Sequence, residues 1–169
     1  AVRDVRPENT MLIEWACDRN SLLTEHWRDR GGEAIRMCLP YGDVGKRASV
    51  EHICKRAEDH MAKGGNVRLH AALPCTPWST MTRIRASLCP AYRQRRHLQR
   101  LESRRLLRIL VKTLRRLRGP KFGASYEWPE HCDGWNSTRC PEIEQIIKEL
   151  PVDCRLDGCA YGLAGVSGL

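Results

Sequence analysis

The chain has 169 residues, 41% of them hydrophobic, which is enough for one ordinary domain around one buried core. No apolar run is long enough to span a membrane and no secretory leader is visible, so the nine cysteines, an odd number, are expected to be reduced thiols in an intracellular protein, with the nucleus as one option. The formal charge of +9 favours polyanionic partners, and it belongs to one segment: residues 83–118 hold thirteen Lys or Arg against Glu102 alone.

Residues 11–17 (Met-Leu-Ile-Glu-Trp-Ala-Cys) form a short apolar run and predict a buried first strand with Glu14 as an acid inside it. Ser21 as N-cap, Leu22, Leu23 and Trp27 on one face, and Gly31-Gly32 as a stop predict a helix over 21–30. A second apolar run, 34–39, closes on the turn-like Pro40-Tyr41-Gly42-Asp43. Val50, Ile53, Cys54, Ala57 and Met61 are at helical spacing over 49–63, with Ser49 as the capping residue and Gly64-Gly65 beyond. A third strand is expected over 67–73. From 92 to 118 there is no Gly or Pro, and a stripe of leucines runs from Leu98 to Leu117 among arginines, which predicts one long helix ended by Gly119-Pro120. A strand over 123–128, a helix over 141–150 with Pro141 in its first turn, and a fifth strand over 152–156 complete the pattern. The alternation predicts an α/β domain spanning 1–169, a mostly parallel sheet with helices on both faces.

Ligands of such sheets bind beyond the carboxyl ends of the strands. The loops expected there are Cys17-Asp18-Arg19-Asn20-Ser21, Tyr41-Gly42-Asp43, Pro74-Cys75-Thr76-Pro77-Trp78-Ser79 and Glu127-Trp128-Pro129. Leu73-Pro74-Cys75-Thr76-Pro77-Trp78-Ser79 resembles the Pro-Cys nucleophile motif of the cytosine-5 nucleic-acid methyltransferases, and Tyr126-Glu127-Trp128-Pro129 stands where that family has Glu-Asn-Val. Gly42-Asp43-Val44 and Leu12-Ile13-Glu14 are similar to its cofactor motifs, in the same order. The resemblance implies a Rossmann-like class I methyltransferase fold, truncated at the C-terminus before the target-recognition domain, and a cytosine-5 methyltransferase activity dependent on S-adenosylmethionine. Cys75 would then add to C6 of cytosine and Glu127 would act as the acid at N3. Glu14, Cys17, Asp18, Asp43 and Pro74 would lie near the cofactor, and Trp78 or Trp128 would stack on the flipped base. Arg83, Arg85, Arg96, Arg100, Arg104 and Arg108, with Trp78, would face nucleic acid, DNA before RNA, through phosphate contacts that position without reading sequence.

Two features depart from that family. The loop 17–21 has no glycine where the family has a Gly-rich turn, and no Gln-x-Arg-x-Arg motif is present. Ile13-Glu14-Trp15-Ala16-Cys17, the Pro-Cys segment, Glu127-Trp128-Pro129 and residues 157–163 also resemble methyltransferase-like segments of protist retroelement polyproteins. That likeness implies an alternative, a catalytically inactive module that docks nucleic acid through its arginine-rich helix. A third reading is a zinc-stabilised nucleic-acid-binding fragment built on His131, Cys132, Cys140, Cys154 and Cys159, whose spacings lack a Cys-x-x-Cys pair; no metal is the expectation. For Cys75 and Asp43 the bland alternatives are a packed thiol and an ordinary turn residue.

Overall fold

The computed structural model describes residues 6–17, 19–38 and 42–153. Among them the apolar runs become β1 (Thr10–Trp15), β2 (Glu33–Met37), β3 (Asn66–Ala71) and β4 (Phe122–Tyr126), paired in the order β2-β1-β3-β4 with every pair parallel. Five helices connect and flank them: α1 (Leu22–Asp29), α2 (Arg47–Ala62), α3 (Thr80–Leu88), α4 (Pro90–Leu117) and α5 (Glu142–Glu149). This is an α/β architecture with a four-stranded all-parallel sheet, compatible with a Rossmann-like winding. After β2 the chain crosses back over β1 to form β3, so the direction of winding reverses between β1 and β3. That reversal is where sheets of this kind open a crevice.

Strand alternation sends the two sets of side chains to different partners. Ile13, Trp15, Leu69 and Ala71 join Ile53, Cys54 and Ala57 of α2 and Leu107, Leu110 and Leu114 of α4 in one core. The opposite face carries Leu12, Glu14, Arg68 and His70, and α1 covers only its β1–β2 half, where the Thr24 backbone N–H reaches Glu14. No helix among the described residues is long and apolar enough to cross a membrane.

Several boundaries differ from the sequence expectations. β1, β3 and β4 stop at Trp15, Ala71 and Tyr126, two residues short of the apolar runs in each case. Of the apolar residues beyond those ends, Leu73 and Trp128 are buried as loops, the Trp128 indole Nε1 donating to the Leu73 carbonyl at 2.7 Å, while Ala16, Cys17 and Ala72 are partly exposed. A separate helix, α3, precedes the arginine-rich one, and α4 begins at Pro90, whose missing N–H is harmless in a first turn. Lys46, not Ser49, caps α2, and Pro141 is the cap of α5 rather than its first residue. Val152 and Asp153 are irregular, and the rest of the expected fifth strand lies outside the described residues.

Candidate functional site at the carboxyl rim of the sheet

The chain leaves β1 through Ala16, whose φ is +58° and whose N–H donates to the Met37 carbonyl at 2.9 Å. The left-handed turn expected of a glycine is therefore made without one. Glu14, 2% exposed, does not face a ligand. Its carboxylate accepts from the Ser21 hydroxyl and from the N–H and hydroxyl of Thr24, and Arg36 Nε lies 4.0 Å away. A helix N-terminus attracts anions, and here the protein's own carboxylate occupies that place. Ser21 is thus the N-cap in position only; it donates to Glu14 instead of accepting from its helix.

The other residues expected near a cofactor are similarly engaged. Asp43 Oδ1 accepts from the Gly45 N–H at 2.7 Å, closing its own turn. The Cys17 thiol donates to the Glu14 carbonyl at 3.7 Å, and burial, then the Glu14 and Cys38 groups, push it up to about 12, so it is a neutral thiol. Pro74 is exposed in the loop after β3, and Asp18 lies outside the described residues. Among the described residues of this corner, the Glu14 carboxylate is taken up by Ser21 and Thr24, whereas Asp43 commits one oxygen, Oδ1, to its own turn.

The loops after β3 and β4 close on each other through an aromatic cluster. Trp128 lies 6.0 Å from Trp78, 5.2 Å from Tyr126 and 5.9 Å from Trp135, centroid to centroid. Trp78 is fully buried, its Nε1 donating to Ser103 at 2.8 Å and its ring lying 4.5 Å beneath the Arg100 guanidinium. Trp78 and Trp128 therefore do not present a face to a flipped base; they are core. Gly134 permits this packing, since a β-carbon there would run into the Trp128 ring. Cys75 is half-buried against this core, with Cys132 and Tyr126 among its neighbours. Glu127 turns the other way: its Oε2 lies 3.7 Å from His70 Nε2, on the face that α1 leaves open. The two residues expected to act on one base sit on adjacent loops with side chains directed to opposite faces of the sheet.

Most of the arginines on α4, and Arg118 just beyond its end, have partners. Arg104 and Arg108 bind Glu142 at 2.7 and 3.0 Å, Arg116 binds Glu51 and Glu58, Arg105 binds Glu102, and Arg115 and Arg118 share Glu149. Arg104 and Arg108 are thus struts between α4 and α5, not free phosphate ligands. Arg85 stands 4.8 Å over the Tyr92 ring.

A second grouping is different. Arg83, Arg96 and Arg100 lie 3.7, 3.5 and 3.3 Å from the Asp133 carboxylate, which Arg139 also binds. Arg96 and Arg100 additionally donate through Nε to the Pro77 carbonyl, which ties the cluster to the loop carrying Cys75. Their guanidinium pKa values are lowered, first by burial and, for Arg100, next by Arg96 itself. Four cations converge on one acid. The arginines of 83–100 were legible as a basic run; Asp133 and Arg139 were not, because they join it from the far side of β4 with no periodic signal.

Cys132 and Cys140 are buried and pushed up by desolvation, Cys140 to about 11, and Cys154 and Cys159 lie outside the described residues. Among the described residues no cluster of His, Cys, Asp or Glu is placed to hold a metal ion. No protein-family model, curated protein or solved structure matches this chain.

Proposed function

We propose that this α/β domain binds nucleic acid, DNA before RNA, through its phosphate backbone at the Arg83–Arg96–Arg100–Arg139 cluster, as a methyltransferase-like module that does not itself transfer methyl groups. The observation that carries this reading is the sharing of the Asp133 carboxylate by four guanidinium groups. A phosphate arriving there supplies the negative charge the cluster lacks, and Arg83 and Arg139, 51% and 41% exposed, can reach it. Arg93 and Arg95 extend the basic surface along exposed parts of α4 with no carboxylate partner among the described residues.

Anisotropy titrations on random duplex DNA, single-stranded DNA and RNA across a salt series test it. Affinity is expected to fall steeply with salt, and the joint Arg83→Gln, Arg139→Gln substitution is expected to weaken binding to every sequence and flatten the salt slope by about 1–2. Binding unaffected by that pair would overturn the proposal.

One observation favours the enzymatic reading, a cytosine-5 methyltransferase. Cys75 directly follows β3, the strand beside the winding reversal, in an irregular loop between Pro74 and Pro77. In that reading Cys75 bonds to C6 and Glu127 must swing away from His70 to reach the same ring.

A further inference from the structure

A parallel sheet normally buries apolar side chains on both faces beneath helices. Here no helix among the described residues covers the half of the second face formed by β3 and β4, which carries Arg68, His70, Gly123 and Ser125, and these with Leu12 and Leu23 line a groove of about 430 Å³. The strand register aligns a polar row across the whole sheet, Arg36 beside Glu14, Glu14 beside His70, and His70 beside Ser125. On the covered half, Glu14 accepts from Ser21 and Thr24, and Arg36 donates to the Arg19 and Ser21 carbonyls with its Nε 4.0 Å from Glu14. On the open half, His70 Nδ1 and Ser125 Oγ lie 2.9 Å apart, and among the described residues Arg68 donates to the Val67 carbonyl alone, at 3.0 Å. A guanidinium has five N–H donors, so most of Arg68's have no partner among the described residues. Its side chain lies across Gly123, where a β-carbon would sit 3.1–3.2 Å from it, so the glycine keeps Arg68 flat along the groove floor.

We propose that this groove binds the phosphate group of a small organic phosphate monoester. Arg68 offers a planar pair of donors, Ser125 a hydroxyl and His70 a ring nitrogen, and all three border the same groove over the apolar side chains of Leu12 and Leu23. Glu127, 65% exposed beside His70, is the exposed like charge among the described residues that an incoming dianion meets there, while Glu14 on the neighbouring strand is buried against Ser21 and Thr24. The site is on the opposite face of the sheet from the core into which Trp78 is packed, and it does not rest on the nucleic-acid reading.

The test is an NMR titration of the full chain with inorganic phosphate and with phenyl phosphate at constant ionic strength, following the His70 ring and the Gly123 and Ser125 amides. Saturable shifts are expected, tighter for phenyl phosphate. Arg68→Gln is expected to weaken binding at least tenfold and Glu127→Gln to tighten it several-fold, with Ser125→Ala as a second probe should Arg68→Gln fail to fold. The Arg83→Gln, Arg139→Gln pair should leave the His70 shifts unchanged. Shifts reproduced by chloride, or insensitive to both Arg68→Gln and Ser125→Ala, or abolished by the Arg83 and Arg139 pair, would each overturn the proposal.

Discussion

Two buried side chains show how individual residues meet or miss their partners. Glu14 lies inside an apolar strand, and a carboxylate there needs hydrogen bonds or a ligand. It takes three donors from Ser21 and Thr24, so its role is to anchor α1 to β1. Glu14→Ala is expected to destabilise the domain by about 3 kcal/mol, since it removes a helix-terminal acceptor and leaves the buried Thr24 N–H and hydroxyl without it; urea unfolding measures it, and a loss within 0.5 kcal/mol, the ordinary range for a surface change, would mean these hydrogen bonds do not hold α1 to β1. Tyr126 presents the reverse case. Its hydroxyl is buried with no hydrogen-bond partner among the described residues, and burial raises its pKa far above the ordinary tyrosine value, with the Cys140, Cys132 and Cys75 thiols adding to the effect. Removing an unsatisfied buried hydroxyl is favourable, so Tyr126→Phe is expected to hold or raise stability by up to about 1 kcal/mol. A clear loss in thermal melting would reveal a partner for that oxygen.

At the scale of elements, α4 is the spine of the molecule. One side buries Leu107, Leu110, Leu114 and Leu117, and the other sides carry arginines to α2 and α5. These pairs hold the carboxyls of Glu51, Glu58 and Glu102 below the usual glutamate value, chiefly through hydrogen bonds from Arg116 and Arg105. For Glu142, burial pushes upward, but the Arg104 hydrogen bond and the Arg104 and Arg108 charges outweigh it. A carboxyl whose pKa is lower folded than unfolded adds stability that is complete above the unfolded value, about 4.3, and is lost as pH falls through the folded one. Stability is therefore expected to be level from neutral pH to about 5 and to drop below about 4. Glu142→Gln should make that acid limb shallower in urea titrations across pH. An unchanged limb would show that the α4–α5 pairs contribute nothing.

For the whole molecule, the sheet separates two chemistries. One face meets the aromatic and arginine-rich packing around Cys75, and the other exposes His70, Ser125 and Glu127. With Cys75 and Glu127 divided in this way, a 5-fluorocytosine oligonucleotide with S-adenosylmethionine is expected to form no covalent adduct; an adduct that Cys75→Ser abolishes would establish the enzyme instead. The sequence by itself determined the alternation of strands and helices, the parallel α/β class and the basic character of 83–118, because period, capping and local charge are properties of neighbouring residues. It also put loops near the strand ends, although β1, β3 and β4 stop two residues before the apolar runs do. Tertiary structure alone decided which arginines are free and what the candidate site residues face. Arg104 meets Glu142 across 38 positions, and Asp133 gathers arginines from α3, α4 and its own loop. Which face Cys75 and Glu127 take depends on how the loops after β3 and β4 pack, Cys75 against the buried core and Glu127 beside His70.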